Sequence, residues 1–204
     1  MLPDDPAPRI APLKPDETSA EAEAFIARWL GESFQNPDTN PVLLTFAHHP
    51  QLADVFSQFN IHLLRTNTVP VKLRQIAIMR TAWICGATYM WSSHLNTSVR
   101  AGLEPDFFRP VQMGAEHPYF NEFERVVIRA TEELVHDRKI GDDNWRLLSA
   151  EWDHQQMLDF MFTVGTYAAV AGVMRSIGVQ RDAQLRSLAE KYGAPDTEGG
   201  NHGS

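Results

Sequence analysis

One cysteine, Cys85, is present in 204 residues. The chain therefore has no second sulfur to close an internal disulfide, no C-x-x-C redox pair and no cysteine-rich zinc site. Positive charge is also scarce. Eighteen Lys and Arg stand against 26 Asp and Glu, a net charge of −8 with no long run of one sign, so the basic footprint of a nucleic-acid binder is missing. No uninterrupted apolar run reaches the ~20 residues needed to cross a bilayer, and Met1–Pro15 is punctuated by five prolines where a signal peptide would need an apolar stretch. These absences set the expectations of a cytoplasmic location, no membrane partner and no nucleic-acid partner. Strand alternation and hairpin turns are lacking too, and no repeat recurs at a solenoid period.

What is present is helical. With 43% hydrophobic and 10% aromatic residues the chain can bury a substantial core. Residues 1–16 read as a proline-rich arm running over the surface or onto a neighbouring subunit, and residues 193–204 as a Gly-rich, disordered tail. Between them, residues 17–192 read as a single domain. Thr18 or Ser19 can cap a helix carrying Phe25, Ile26 and Trp29, closed by Gly31. After a loop over Asn36–Pro41, Pro50 opens a helix whose Leu52, Val55, Phe56, Phe59 and Leu63 recur at steps of three and four. Further helices are expected from Leu73 to near Gly86 and from Thr88 to Ala101 with Gly102 as a stop. The chain then loops through Pro110 and Pro118, and helices follow over Phe123–Leu134 and around Trp145–Leu148. The longest opens at Asp153 and carries the stripe Met157, Phe160, Met161, Val164, Ala168, Ala171. The fold class is all-α, with seven or eight helices.

Reactive side chains are densest between Gln75 and His94. The stretch Leu73-Arg74-Gln75-Ile76-Ala77-Ile78-Met79-Arg80-Thr81-Ala82-Trp83, followed by Cys85-Gly86-Ala87-Thr88-Tyr89-Met90-Trp91-Ser92-Ser93-His94, resembles the carboxymuconolactone decarboxylase and AhpD-like family, as does Phe162–Tyr167. The resemblance covers residues 40 to 180 and implies an oligomeric AhpD-like helical fold. Counting back from His94 places the family's paired cysteines at Met90 and Ala87 and its glutamate at Gln75. Only the histidine is kept. Two-cysteine peroxidase chemistry is thereby excluded, and Cys85, two residues before the first cysteine position, points about 200° away on a helix.

An acid–base set remains. Ala87, Met90, Trp91, His94 and Ser98 share a helix face. His94 is the expected general acid/base, Tyr89 a hydrogen-bond donor to a developing oxyanion, Gln75 an orienting group that cannot itself take a proton, and Trp91, Met90 and Cys85 pocket residues. The resemblance then implies decarboxylation, isomerisation or lyase cleavage of a small organic acid, lactone or enone by a homo-oligomer without a cofactor. A carboxylate substituting for the family glutamate could come from Glu122, Glu124 or Glu132. Two other readings stand beside this one: a one-cysteine peroxide-reactive protein using Cys85, and a non-catalytic ligand-binding oligomer. The pair His48-His49 gives no metal site, because adjacent histidines diverge by about 100° and no third ligand follows at metal spacing. His62, His117, His136 and His154 are scattered singly and read as surface or capping residues.

Overall fold

The structure is a computed structural model that describes residues 7–30 and 40–193. The first residues of the arm, the Gly31 stop, most of the 36–41 loop and the tail beyond residue 193 lie outside them. Among the described residues there are ten α-helices and no strand: α1 (Ala20–Leu30), α2 (Pro41–Phe46), α3 (Pro50–Ile61), α4 (Val71–Ile84), α5 (Thr88–Arg100), α6 (Phe108–Met113), α7 (Glu122–His136), α8 (Asp142–Glu151), α9 (His154–Ile177) and α10 (Ala183–Tyr192). That is more than the seven or eight expected. The additions are α2 and α6, six residues each and opened or interrupted by proline, and the polar α10, in which only Leu185 and Ala189 are buried. Proline fits within the first helical turn because no backbone N–H is needed there, so Pro41 starts a helix and Pro110 sits inside one.

Helix α4 is the centre. It is covered almost all round, and its Arg74–Met79 segment, Thr81 and Ala82 are all buried, polar Arg74 and Gln75 included. It packs on α5, α7 and α9. On one side Ile76, Ile78, Met79 and Ala82 meet Met90, Trp91 and Leu95 of α5 and Tyr167 and Ala171 of α9. On the other side Ala77 meets Val126, Val127 and Ala130 of α7 and Phe160 and Val164 of α9. Gly86, at φ +63°, makes the left-handed turn that sends α5 back along α4. Asp153 caps α9 in a reciprocal box with Gln156. By length and composition alone α9 could cross a membrane, a property that core helices share; here Met157, Phe160, Val164, Tyr167 and Ala171 are buried in the core.

Helix α3 lies differently from its sequence pattern. Its large residues Leu52, Val55 and Phe59 are exposed, whereas the small Ala53 and Ser57 are buried. The face that turns inward is the one whose small side chains allow close approach to α1 and α2, and Ala53 joins their cluster with Phe25, Ile26 and Leu44. A π turn, His62–Thr66, ends this helix. The described part of the arm lies on the chain itself. Arg9 N–H donates to the Ile177 carbonyl at 2.8 Å, Leu13 is buried, and a Cβ at Gly178 (φ +73°) would stand 3.3 Å from the Ala7 oxygen.

Candidate functional site

His94 lies midway along α5 with its ring 7% exposed. Gln75, on α4, faces it: Nδ1 lies 2.9 Å from Gln75 Oε1, and the Ser98 hydroxyl donates to the same oxygen at 3.3 Å. A carbonyl oxygen only accepts, so Nδ1 carries the proton and Nε2 is left with its lone pair. Nε2 makes no hydrogen bond to a described residue. Burial, together with the positive charge of Arg74, pushes the imidazole down to about 3 from an ordinary 6.5, so it is neutral at pH 7. The Tyr167 ring packs edge-on against it at 5.1 Å.

His94 lines a cavity of about 350 Å³. Its wall draws on α3 and its π turn (Ser57, Asn60, Arg65), α5 (Tyr89, Met90, His94) and α9 (Thr166, Tyr167, Met174). The phenols of Tyr89 and Tyr167 are both pushed up by burial, Tyr89 further by Asp182 while Arg74 partly offsets the rise at Tyr167, so both stay protonated and able to donate. Tyr89, Met90 and His94 thus reach one cavity. Gln75 stands behind, bonded to the imidazole.

Trp91 and Cys85 are not in its wall. Trp91 is fully buried one step further round α5, its indole N–H donating to the Gly193 carbonyl at 2.6 Å and its ring 5.1 Å from that of Trp83. Cys85 caps the end of α4, where its carbonyl accepts from Arg175 at 2.8 Å. Its thiol is raised by burial, against the pull of Arg138 and Arg175, the reverse of the lowering that makes a cysteine reactive. The three glutamates do not supply the missing carboxylate: Glu124 pairs with Lys72 at 2.7 Å, Glu132 with Arg80 at 2.8 Å, and Glu122 is exposed. Among the described residues no three His, Cys, Asp or Glu side chains gather to hold a metal. His62 has a carboxylate partner, Asp159, at 2.7 Å, and His49 accepts from the Leu52 N–H as an N-cap.

Among the cavity residues that the sequence did not single out are Ser57, Asn60, Arg65 and Tyr167. The signal for Tyr167 was its place in the family-like Phe162–Tyr167 stretch. For the α3 residues the signal was masked by the exposed Leu52/Val55/Phe59 stripe.

Neither a family model nor a curated protein matches the chain. Solved structures do. The debrominase Bmp8, as a cysteine-to-alanine variant bound to 2,3,4-tribromopyrrole, superposes with a TM-score of 0.74 at 15% identity, over 93% of this chain and 100% of that one. The fold is AhpD-like. Two others agree: the alkylhydroperoxidase AhpD core of an uncharacterized peroxidase-related protein from Ralstonia eutropha JMP134 (TM-score 0.68, 14% identity, 92% and 98% covered) and an uncharacterized peroxidase-related protein from Silicibacter sp. TM1040 (0.67, 15%, 96% and 96%).

Proposed function

We propose that this AhpD-like protein is an enzyme that moves a proton on a small unsaturated organic acid, lactone or enone, with His94 as its base. One observation carries the reading: a neutral imidazole lines a cavity with its Nε2 lone pair free, while Gln75 holds its other nitrogen in the core. Nε2 takes a proton from the carbon beside a carbonyl, as in cyclohexenone, or from the γ carbon conjugated to it, as in crotonate and crotonolactone. The bonding pair moves onto the carbonyl oxygen, where the protonated Tyr89 and Tyr167 can donate hydrogen bonds. The imidazolium then returns the proton to a different carbon, shifting a double bond, so atoms and charge balance with no co-reactant. A histidine that is neutral at rest acts as a base first. This order favours isomerisation or elimination over direct decarboxylation, which needs a proton donor once carbon dioxide has left.

The peroxide reading with Cys85 loses ground because the thiol is raised and sits apart from the cavity. The exposed apolar side chains Leu52, Val55, Phe59 and Phe162 support assembly into a homo-oligomer, which sedimentation of the full chain would test.

The test of function is proton exchange. The full chain is incubated in heavy water with crotonate, crotonolactone and cyclohexenone, and deuterium entry beside the carbonyl is followed by NMR. Exchange should fall by roughly 10²–10⁴ in His94→Ala. Equal exchange by wild type and variant would dismiss His94 as the base.

A further inference from the structure

The cavity has a charge preference. Among the described residues that line it none is Asp or Glu, and the one charged residue is Arg65, exposed at the end of the π turn and without an ion-pair partner among the described residues. Behind His94 and Tyr167, the buried guanidinium of Arg74 adds positive potential that both rings register. A second observation concerns hydrogen bonds left unmade. Helical hydroxyls elsewhere in the chain, such as Thr81, Ser92, Thr131 and Thr163, bond back to the carbonyl four residues earlier. Ser57 does not. Its residue is only 5% exposed, and its Oγ, which has almost no accessible surface, has no partner among the described residues. A buried hydroxyl without a partner is costly, and because Ser57 lines the cavity, turning its side chain to meet a ligand atom would break no hydrogen bond already made. Ser57, Asn60 and Arg65 stand at i, i+3 and i+8, which keeps all three on one side of α3 and its π turn.

We propose that the Ser57–Asn60–Arg65 face is a carboxylate-binding subsite, so that the substrate class of the cavity is a small organic acid anion and not a neutral lactone or enone. The proposal rests on the reading that this cavity is where His94 works. A guanidinium fork matches the two oxygens of a carboxylate, and the serine hydroxyl and asparagine amide can donate to its remaining lone pairs. The anion also supplies what His94 lacks. With Gln75 as the partner of Nδ1, nothing negative among the described cavity residues stabilises an imidazolium, and a substrate carboxylate entering the same cavity does.

The test is equilibrium binding to the full chain at pH 7, by calorimetry and ligand-observed NMR, with crotonate, benzoate, their methyl esters and inorganic phosphate as probes. At least one of the two acids should bind, with its ester and phosphate weaker by about tenfold or more. Arg65→Gln should lower acid affinity by about tenfold or more, and Ser57→Ala by a smaller factor, with ester binding unmoved. Unliganded melting temperature should be unchanged in Arg65→Gln, whose side chain is exposed. Binding of neither acid, equal binding of acid and ester, tighter binding of phosphate, or an Arg65→Gln variant with wild-type affinity would each overturn the subsite. Arg65-dependent acid binding without His94-dependent proton exchange would keep the subsite and remove the proton-transfer reading. Exchange without Arg65-dependent binding would do the reverse.

Discussion

Two histidines in this chain each lean on a side-chain oxygen, and the difference between those oxygens separates a satisfied clamp from an imidazole with one nitrogen left unbonded. His62 meets the carboxylate of Asp159 at 2.7 Å, with its own side chain half exposed. Burial pushes the Asp159 carboxyl up, but the Thr68 N–H at 2.6 Å, His62 and the Thr68 hydroxyl at 2.8 Å outweigh it and hold it below its ordinary 3.8. Every partner is satisfied, so this pair ties the 62–68 turn to α9. His94 meets the neutral amide of Gln75 instead, in the core, with a cation nearby and no counter-charge. Its free nitrogen faces a cavity and its protonation is opposed. The charged partner holds His62 as an anchor, and the uncharged one leaves His94 with an available lone pair.

The comparison breaks most visibly at the anchor. Asp159→Ala should cost about 2–4 kcal/mol in urea unfolding, because it leaves the Thr68 N–H and the His62 ring without their acceptor. Next comes Gln75→Glu, which gives His94 the kind of partner His62 has. The His94 pKa should rise by about 1–3, read from its imidazole resonances, whereas an unchanged value would mean that Gln75 does not set its charge. Acid stability should change by less. A histidine held near 3 when folded and 6.5 when unfolded lets the unfolded chain bind more protons between those values, so its contribution is complete above pH 6.5 and is lost as pH falls toward 3. The His94 contribution cannot exceed about 1.4 kcal/mol per pH unit. His94→Asn should flatten the stability curve between pH 6 and 4, a window that Asp159, whose unfolded value is 3.8, hardly touches. The smallest effect is expected for His62→Ala, at most about 1 kcal/mol, because an exposed pair contributes little and Thr68 continues to hold Asp159.

Much of the fold was legible because its long helices announce themselves: Asp153 with Gln156 caps α9, Gly102 ends α5 at φ +77°, and the Phe123–Leu134 spacing falls within α7. The short helices were hidden by proline, which reads as a loop signal although it opens α2 and sits in the first turn of α6. In the candidate site, the grouping of His94, Gln75 and Tyr89 was legible because motif spacing orders residues along two adjacent helices. Trp91 could not be told from a cavity residue, since one helical step separates the cavity side of α5 from its core side. Ser57 and Arg65 were invisible because periodicity follows large apolar residues, and on α3 those face outward.

The most direct test is the imidazole of His94, followed by nitrogen NMR from pH 8 to pH 3 and assigned with His94→Asn. The proton should sit on Nδ1, Nε2 should show the shift of an unprotonated nitrogen, and neither signal should titrate until pH approaches about 3. A proton on Nε2 would contradict the account, because the cavity would then hold a histidine with no lone pair to offer, and a midpoint near the ordinary 6.5 would show that burial and Arg74 do not oppose its charge.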